Sequence, residues 1–581
     1  MNIENYTKLI DCAAGRIPAD LVLDNAKVIH VYTGEISKGS VAIIDGKIAG
    51  ISDGYDAENT VDLQGRYLAP GFVEGHIHIE SSMLIPSQFA AAVIPHGTTT
   101  VICDPHEIAN VCGITGIHFM LEDSSPLTIY AMAPSCVPAT HMETSGASLS
   151  VSEIETILNL PGVIGLAEMM NFPGMVMAVQ DVIEKTLLAI NQRKIIDGHA
   201  PGLTGKALQA YVAGGITSDH ECTLLSEALE KLKAGMAVFI REGSTAHNLE
   251  ELMPVIQSPA AQHCLLVTDD RHADDLITDG HLDHILQRAV SLGANPVTAI
   301  QMVTLNAARH FGLKDIGAIT PGAKADLVVL DDLSAFTVSS VFIKGELCAT
   351  SGSMVTPVPT VPVDTLESTI QSSIKISPEK VDLTVPANEG KIRVICCVED
   401  QLVTEQRMFE PKIVANQIVS DPERDIIKIA VIERHHIKHS MGLGFVKGLG
   451  IKDGAIASTV AHDSHNLVVA GSSDKAMLLA LAKIMEMQGG LVVAGEKKIH
   501  GALPLPVAGL MSTASVAEVS SGLLHLHEAL NKIETSVDNP FMLLSFLALP
   551  VIPELKITDK GLVDVNKFTI VPLQEQKKIK K

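Results

Sequence analysis

Short apolar runs rich in β-forming residues recur between residues 72 and 270, and each is followed by a stretch of helical length. The intervening segments 181–193, 203–213 and 226–234 have the spacing of amphipathic helices. Alternating strands and helices predict a parallel sheet, and eight such units predict a (β/α)8 TIM-like barrel in an α/β chain. The predicted strands are residues 72–73, 99–103, 128–133, 163–167, 194–196, 215–217, 236–240 and 263–268.

The segments on either side of the predicted barrel have a different pattern. Residues 20–67 and 317–345 alternate short strands with turns such as Asp45-Gly46, and residues 350–362 have the composition of a linker. We expect both flanks to join in one small β-sandwich domain, followed after the linker by an additional C-terminal α+β domain. The predicted domains are 1–69 plus 315–360 for the small domain, 70–314 for the barrel and 375–581 for the C-terminal domain.

Every predicted strand ends in a polar residue. In a (β/α)8 barrel, functional side chains lie where the strands end and the following loops begin. The pattern therefore predicts a polar site at that end of the barrel. The polar residues, in strand order, are His76 and His78, Asp104 and His106, Ser135, Glu168, His199, His220, Arg241 and Glu242, and Asp269 and Asp270.

The first of these strand ends carries two histidines separated by one residue. Positions i and i+2 of a strand face the same side, so His76 and His78 can direct both imidazoles at one point. Neutral imidazole is a common ligand of transition metals. A His-x-His motif alone is weak evidence, because two surface histidines would give the same pattern.

The other strand ends supply the rest of a metal site. Four histidines and two carboxylates could bind two divalent cations, with Glu168 as the bridge between them. Two such ions acidify a shared water and supply hydroxide at neutral pH. A nearby carboxylate can accept the proton of that hydroxide and transfer it to a leaving group. Taken singly, each residue could be an ordinary polar group, and Asp269-Asp270 could cap a helix. The predicted ligands are His76, His78, Glu168, His199, His220 and Asp269.

Two further groups of residues allow alternative interpretations. Asp104 and His106 could hold an auxiliary ion, contact substrate or simply set a turn. His462, Asp463 and His465 form a second His/Asp cluster outside the barrel. We expect the C-terminal domain to be a lid or packing domain whose polar loop approaches the barrel; the alternative is an independent metal module.

Composition excludes several classes of protein. A formal net charge of −24 argues against nucleic-acid binding, and 46% hydrophobic residues allow a large core. Nine cysteines without paired spacing indicate reduced thiols and a cytoplasmic protein. We find no profile of a signal peptide and no membrane span, so we expect no membrane partner.

The motifs at these strand ends resemble those of the amidohydrolase superfamily and, within it, of the bacterial-type adenine deaminase family. Many superfamily members bridge their metals with a carboxylated lysine, and here Glu168 occupies that position. The resemblance covers nearly the whole chain. It rests on residues 70–82, 104–111, 134–140, 165–171, 197–203, 218–221, 268–271, 461–466 and 503–510.

The resemblance implies hydrolysis of adenine to hypoxanthine and ammonia in purine salvage, with a hydroxide activated by two metal ions attacking C6. It implies Asp269 as the catalytic base and Glu168 as the bridge or as a proton shuttle to a ring nitrogen. Glu80, Ser81 and Arg271 are expected purine contacts. The implied cofactors are two Mn²⁺ or Fe²⁺ ions per active site, with Zn²⁺ also compatible, and the implied assembly is a homo-oligomer.

Two other functions stay open at this point. The first is cyclic amide hydrolysis of the dihydroorotase or hydantoinase kind, which uses the same metal ligands but usually with the bridging lysine. The second is a non-catalytic scaffold, which would be expected to lack ligands that this chain retains.

Overall fold

The computed structural model describes residues 2–122, 125–358, 361–371, 373–398, 401–437, 440–537 and 539–574. Eight parallel strands occupy the region predicted as a barrel. They are β1 Phe72–Ile77, β2 Thr98–Cys103, β3 Thr128–Ala133, β4 Val163–Met169, β5 Ile195–Gly198, β6 Ser218–Asp219, β7 Ala237–Arg241 and β8 Cys264–Val267. Strands β1 to β5 form one parallel sheet and β6 to β8 form a second. The chain is therefore a mixed α/β protein with parallel sheets, as predicted.

Backbone hydrogen bonds link the two parallel sheets at both edges. Thr217 donates its N–H to the carbonyl of Ile196, between β5 and β6, at 3.0 Å. Beyond the end of β8, Asp269 donates to the carbonyl of His76 and accepts from the N–H of His78, at 3.0 and 2.9 Å. The second link joins the ends of β8 and β1, where the predicted ligands lie.

The sixth strand begins later than predicted. The sequence favoured residues 215–217, whereas the strand is Ser218–Asp219. The preceding helix ends at Ala213 with Gly214 as its C-cap, and Gly215 has a φ of 96°, a conformation that glycine adopts without steric cost. Residues 214–217 are therefore used to leave the helix.

Amphipathic helices follow the parallel strands. Helix Leu282–Ser291 is typical: Leu282, Ile285, Leu286 and Ala289 are buried, at the spacing that places them on one face. The helices of this region are Pro86–Val93, His106–Cys112, Ile114–Leu121, Val151–Leu158, Phe172–Val176, Gln180–Asn191, Gly205–Ala213, Leu225–Lys233, Leu249–Ile256, Ala273–Thr278, Leu282–Ser291, Pro296–Met302 and Leu305–His310.

The two flanks share one nine-stranded sheet. Strand Leu327–Leu330 pairs antiparallel with Tyr67–Pro70, in a register that places Val328 opposite Ala69. The strands form one hydrogen-bonded sheet rather than two separate ones, and helix Ile3–Ala13 lies beside it. The strands are Ala19–His30, Glu35–Ile44, Lys47–Ile51, Ala57–Asp62, Tyr67–Pro70, Leu327–Leu330, Val338–Ile343, Glu346–Thr350 and Ser353–Met354.

The C-terminal region is built on an eight-stranded sheet covered by helix Asp474–Met487. Its strands are Ile392–Cys397, Thr404–Phe409, Ile426–Ile432, Met441–Lys447, Ala455–Ser458, Leu467–Gly471, Gly490–Ala494 and Ile499–Pro504. A hairpin (Lys412–Val414, Gln417–Val419), a small sheet (Leu555–Thr558, Gly561–Asp564, Thr569–Val571) and helices Ser368–Gln371, Val516–Leu530 and Pro540–Leu547 complete it.

The C-terminal region packs on the loops that follow the parallel strands. Ser512 donates its N–H to the carbonyl of Met83 at 2.8 Å, and Asn466 donates its side-chain amide to the carbonyl of Thr144 at 2.8 Å. Residues 359–360 and 575–581, at the edges of the predicted domains, lie outside the described residues. Within the described ranges, no helix is long and apolar enough to cross a membrane.

A buried lysine connects β6 to the helix that follows it. Lys231 Nζ donates to Asp219 Oδ2 at 2.8 Å, to Glu227 Oε1 at 2.7 Å and to the carbonyl of Ala200 at 2.8 Å. A buried charge is costly unless it is paired and hydrogen-bonded. The lysine therefore holds Asp219 in place immediately before His220.

Replacing this lysine should strongly destabilise the fold. In Lys231→Met, two carboxylates stay buried without their cation, and we expect the free energy of unfolding to fall by about 3–5 kcal/mol. Urea-induced unfolding followed by circular dichroism measures the change. Lys233→Met, at an exposed position of the same helix, is the control and should change the value by less than about 0.5 kcal/mol. Equal stability of the two variants would contradict the assignment.

Candidate metal centre

The six predicted ligands lie together at the carboxyl ends of the parallel strands. They come from the ends of five strands: His76 and His78 from β1, Glu168 from β4, His199 from β5, His220 from β6 and Asp269 from β8. Five of the six are buried, and the side chain of His199 is 28% exposed. Parallel strands thus bring residues far apart in sequence to one edge.

Glu168 contacts histidines on two sides. Its Oε2 lies 2.8 Å from Nδ1 of His199 and 3.1 Å from Nε2 of His220. Its Oε1 lies 3.5 Å from Nε2 of His78. The two oxygens therefore face different imidazoles, which is the arrangement a bridging carboxylate needs.

Asp269 lies on the other side of the His-x-His pair. Its Oδ1 is 3.4 Å from Nε2 of His76 and 3.2 Å from Nε2 of His78. Its Oδ2 accepts a hydrogen bond from Nη1 of Arg241 at 2.9 Å. The backbone bonds between Asp269 and the two histidines described above fix this position.

The electrostatics of the cluster favour ionised carboxylates. Burial alone would raise the pKa of Glu168, but the neighbouring His199 and His220 hold it well below its usual range. Burial acts in the same direction on Asp269, and the imidazoles of His76 and His78, whose Nε2 atoms face its carboxylate, hold its pKa well below its usual range. Burial lowers the pKa of His199, but the nearby carboxylates of Glu221 and Glu168 outweigh this effect and raise the pKa to about 9. The buried cluster therefore combines negatively charged carboxylates with imidazoles that favour a positive charge.

These residues fit divalent cations. In the sets His76/His78/Asp269 and His76/Glu168/His220, the candidate ligand atoms all lie within 4.8 Å of one another. Nε2 of His76 is buried and has no hydrogen-bond partner among the residues the structure describes. Imidazole nitrogens with carboxylate oxygens suit Mn²⁺, Fe²⁺ and Zn²⁺.

A cavity of about 1850 Å³ opens onto the cluster. Glu168, His199, His220 and Asp269 form part of its wall. The C-terminal region contributes to the same cavity, and its other lining residues include Phe172, Met177, His462, Asp463, Met542, Phe546 and Phe568. Apolar and polar side chains therefore line the cavity together, a combination that small-molecule sites use to bury a ligand and to orient it.

Asp104 and His106 adjoin the cluster. Nδ1 of His106 lies 3.2 Å from Oδ2 of Asp104 and 3.5 Å from Oε1 of Glu168. The other oxygen of Asp104 accepts the backbone N–H of His106 at 3.1 Å. The turn that the sequence suggested is therefore present, and the role as ion or substrate ligand stays a prediction.

The three expected purine contacts are not among the residues that line the large cavity. Oε1 of Glu80 accepts the N–H of Ile108, Ser81 donates to Asp270, and both residues line a smaller cavity of about 100 Å³. The buried Arg271 donates to the carbonyl of Gly280 at 3.2 Å and to Asp279 at 3.3 Å. The chain enters a 3-10 helix, Ile79–Ser82, directly after His78, and this helix carries Glu80 and Ser81. Substrate contact by these residues stays a prediction.

The structure adds a pair, Glu221 and Arg241, of which the sequence interpretation named only Arg241, as a strand-end residue without a role. Oε1 of Glu221 lies 3.6 Å from both Nδ1 of His199 and Nε2 of His220, and its Oε2 accepts from Nη2 of Arg241 at 3.1 Å. Arg241 therefore contacts Glu221 and Asp269 at once. Both positions follow predicted strands, which was the available signal, but their pairing depends on the order of the strands in space.

Two family models match the chain. A model described as amidohydrolase family matches residues 67–348, and a model described as adenine deaminase C-terminal domain matches residues 401–569. The chain thus matches one model over the parallel strands and another over the C-terminal sheet.

Curated relatives match over almost the full length. The chain is 47% identical to adenine deaminase 2 of Carboxydothermus hydrogenoformans over 97% of this chain and 99% of the relative. It is also 47% identical to an adenine deaminase of Desulfatibacillum aliphaticivorans, over 98% and 99%. A solved structure described as an adenine deaminase aligns with a TM-score of 0.44 and 17% identity over 57% of this chain and 99% of that chain, which is too little to add to this result.

Removing the central carboxylate should reduce cation binding. Glu168→Gln keeps the shape of the side chain but removes the charge that faces both groups of histidines, so we expect bound Mn²⁺ per chain to fall by at least about half. Elemental analysis of reconstituted, gel-filtered protein measures it. Glu433→Gln, at another buried carboxyl, is the control and should keep the wild-type content. Unchanged Mn²⁺ in Glu168→Gln would show that Glu168 is not a ligand.

Proposed function

The chain belongs to the adenine deaminase family, and from this premise we propose that it hydrolyses adenine to hypoxanthine and ammonia. The observation that supports this proposal most directly is the cluster of four imidazoles and two carboxylates at the wall of a cavity. Such a donor set can hold two divalent cations for hydrolysis. The residues proposed to hold them are His76, His78, Glu168, His199, His220 and Asp269.

We further propose that the two parallel sheets are parts of one (β/α)8 barrel. The backbone hydrogen bonds from Thr217 to Ile196 and between Asp269 and the His76/His78 pair support this closure. The barrel would span residues 70–314, between the two segments of the small domain at 1–69 and 315–360. Residues 375–581 would be the C-terminal domain.

The proposed chemistry replaces the amine at C6 of adenine with oxygen from water. When bound, two divalent cations lower the pKa of water and supply hydroxide near neutral pH. The carbon–oxygen bond forms at C6, the bond from C6 to the amine nitrogen breaks, and ammonia leaves. The donor set is compatible with Mn²⁺, Fe²⁺ or Zn²⁺.

Asp269 is the proposed base. Its carboxylate is ionised and is held by Arg241 on one oxygen and by His76 and His78 near the other. It would take the proton of the attacking water and deliver it to the departing amine. Glu168 would bridge the cations or move a proton to a ring nitrogen, since its oxygens face both groups of histidines.

The cavity is large enough for adenine and has aromatic side chains in its wall. Phe172 and Phe546 line it from two different parts of the chain, and aromatic side chains offer faces on which a base can stack. We propose that the C-terminal region completes the wall around the substrate and limits the access of water. All nine cysteines are free thiols, which supports a reducing compartment such as the cytoplasm.

The activity test is direct. Apoprotein reconstituted with Mn²⁺, or anaerobically with Fe²⁺, is mixed with adenine, and ammonia and hypoxanthine are measured. We expect both products in equal amounts. Dihydroorotate and hydantoin run in parallel and should be left intact. Ring opening of either compound without ammonia release from adenine would favour the cyclic amide hydrolase hypothesis. No product from any of the three compounds would favour the hypothesis of a non-catalytic scaffold.

The base assignment has its own test. Asp269→Asn should lower kcat for adenine by about 10²–10⁴-fold, because a general base contributes that much, while the bound Mn²⁺ stays at the wild-type level. Asp326→Asn, at a buried aspartate of the flanking sheet, is the matched control and should keep normal turnover. If Asp269→Asn stays active, the catalytic base must be a residue other than Asp269.

A further inference from the structure

A second cluster of buried titratable side chains lies beside the proposed metal centre. We call it the junction cluster, because its members come from two distant parts of the chain. Two belong to the start of helix His106–Cys112, after β2, and three to the loop between strands Ala455–Ser458 and Leu467–Gly471. The members are His106, Glu107, His462, Asp463 and His465.

Glu107 lies at the centre of this cluster. Its Oε1 is 2.7 Å from Nδ1 of His462 and 3.6 Å from Nε2 of His106, and its Oε2 is in contact with Nε2 of His465. Three imidazoles from two parts of the chain therefore surround one carboxylate. Neither Glu107 nor Asp463 forms an ion pair with a lysine or arginine within the described part of the chain.

Several atoms of this region are buried without a hydrogen-bond partner among the described residues. They include Oδ2 of Asp463, Nδ1 of His106 and Oδ2 of Asp104. The side chain of Asp463 is more than nine-tenths buried, and the candidate ligand atoms of His106, Glu107 and Asp463 all lie within 4.8 Å of one another. Unpartnered buried polar atoms are costly and rare, so a missing partner is the simplest explanation.

We propose that His106, Glu107 and Asp463 bind a third divalent cation, separate from the proposed pair, with His462 or His465 as a further ligand. Imidazole and carboxylate donors in this mixture suit Mn²⁺, Fe²⁺ or Zn²⁺. The cation gives Oδ2 of Asp463 a partner and offsets two buried carboxylates. It also fastens the C-terminal loop to the segment after β2.

The third cation connects to the proposed pair through one imidazole. A cation on Nε2 of His106 places the ring proton on Nδ1, and that N–H then points at Oδ2 of Asp104, 3.2 Å away. Metal-bound histidines usually donate their other N–H to a carboxylate or carbonyl in this way. One cation thus accounts for all three unpartnered atoms. The same Nδ1 lies 3.5 Å from Oε1 of Glu168, so the cation also fixes the tautomer of a ring that faces the bridging carboxylate.

Counting cations tests this inference without relying on turnover. Chelator-treated apoprotein is loaded with Mn²⁺ alone, gel-filtered and measured by elemental analysis. We expect three Mn²⁺ per wild-type chain and two in Asp463→Asn, which keeps the side-chain volume but removes the charged ligand. Glu433→Gln is the matched control, because Glu433 is a buried carboxyl of the same region that accepts the backbone N–H groups of His435 and His436. It should keep three.

Fewer than three Mn²⁺ in the wild-type chain, or three in Asp463→Asn, would overturn the inference. Titration of wild-type apoprotein with Mn²⁺, followed by electron paramagnetic resonance of the free ion, gives the number of sites without any variant, in case Asp463→Asn fails to fold. A chain that binds two Mn²⁺ and releases ammonia from adenine overturns only the third site. A chain that binds three and releases none supports the third site and overturns only the proposed function.

Discussion

The arrangement of this protein depends on burying two carboxylates, Glu168 and Asp269, among four imidazoles. A carboxylate removed from water keeps its charge only if cations or hydrogen-bond donors surround it. Parallel strands meet this requirement, because their carboxyl ends bring single residues from distant parts of the chain to one edge. Arg241 and Glu221 add a second layer of opposite charges around this cluster. The Arg241 guanidinium contacts Asp269 and Glu221. The Glu221 carboxylate approaches His199 and His220.

Much of this arrangement could be predicted from the sequence, because strand ends have a local signal. Apolar runs that end in a polar residue overlap seven of the eight parallel strands, and the six proposed ligands lie together as the pattern implied. The sixth strand was displaced because Gly214 and Gly215 continue the exit from a helix. Contacts that depend on tertiary packing could not be predicted from the local sequence pattern. The pairing of Glu221 with Arg241 needs the spatial order of two strands, and the direction of Arg271 depends on a short helix and loop beyond it.

The C-terminal region packs close to the candidate metal centre. Its residues line the cavity together with those of the parallel strands, and His462 lies against Glu107 at the entrance to the helix after β2. This explains in physical terms why a cluster that looked isolated in the sequence is close to the proposed metal centre. His462 and His465 of the C-terminal loop find their carboxylate partner, Glu107, only because the two regions pack together.

The pairing of Tyr67–Pro70 with Leu327–Leu330 has a consequence for synthesis of the chain. The ribosome releases the first of these strands long before its partner, with all eight parallel strands made in between. During that interval the edge of the N-terminal strands has no neighbour, and an open strand edge readily pairs with the wrong chain. Such distant pairing also slows folding. The nascent protein is therefore most vulnerable to aggregation while the parallel strands are being translated, which is the stage at which a chaperone would be of most use.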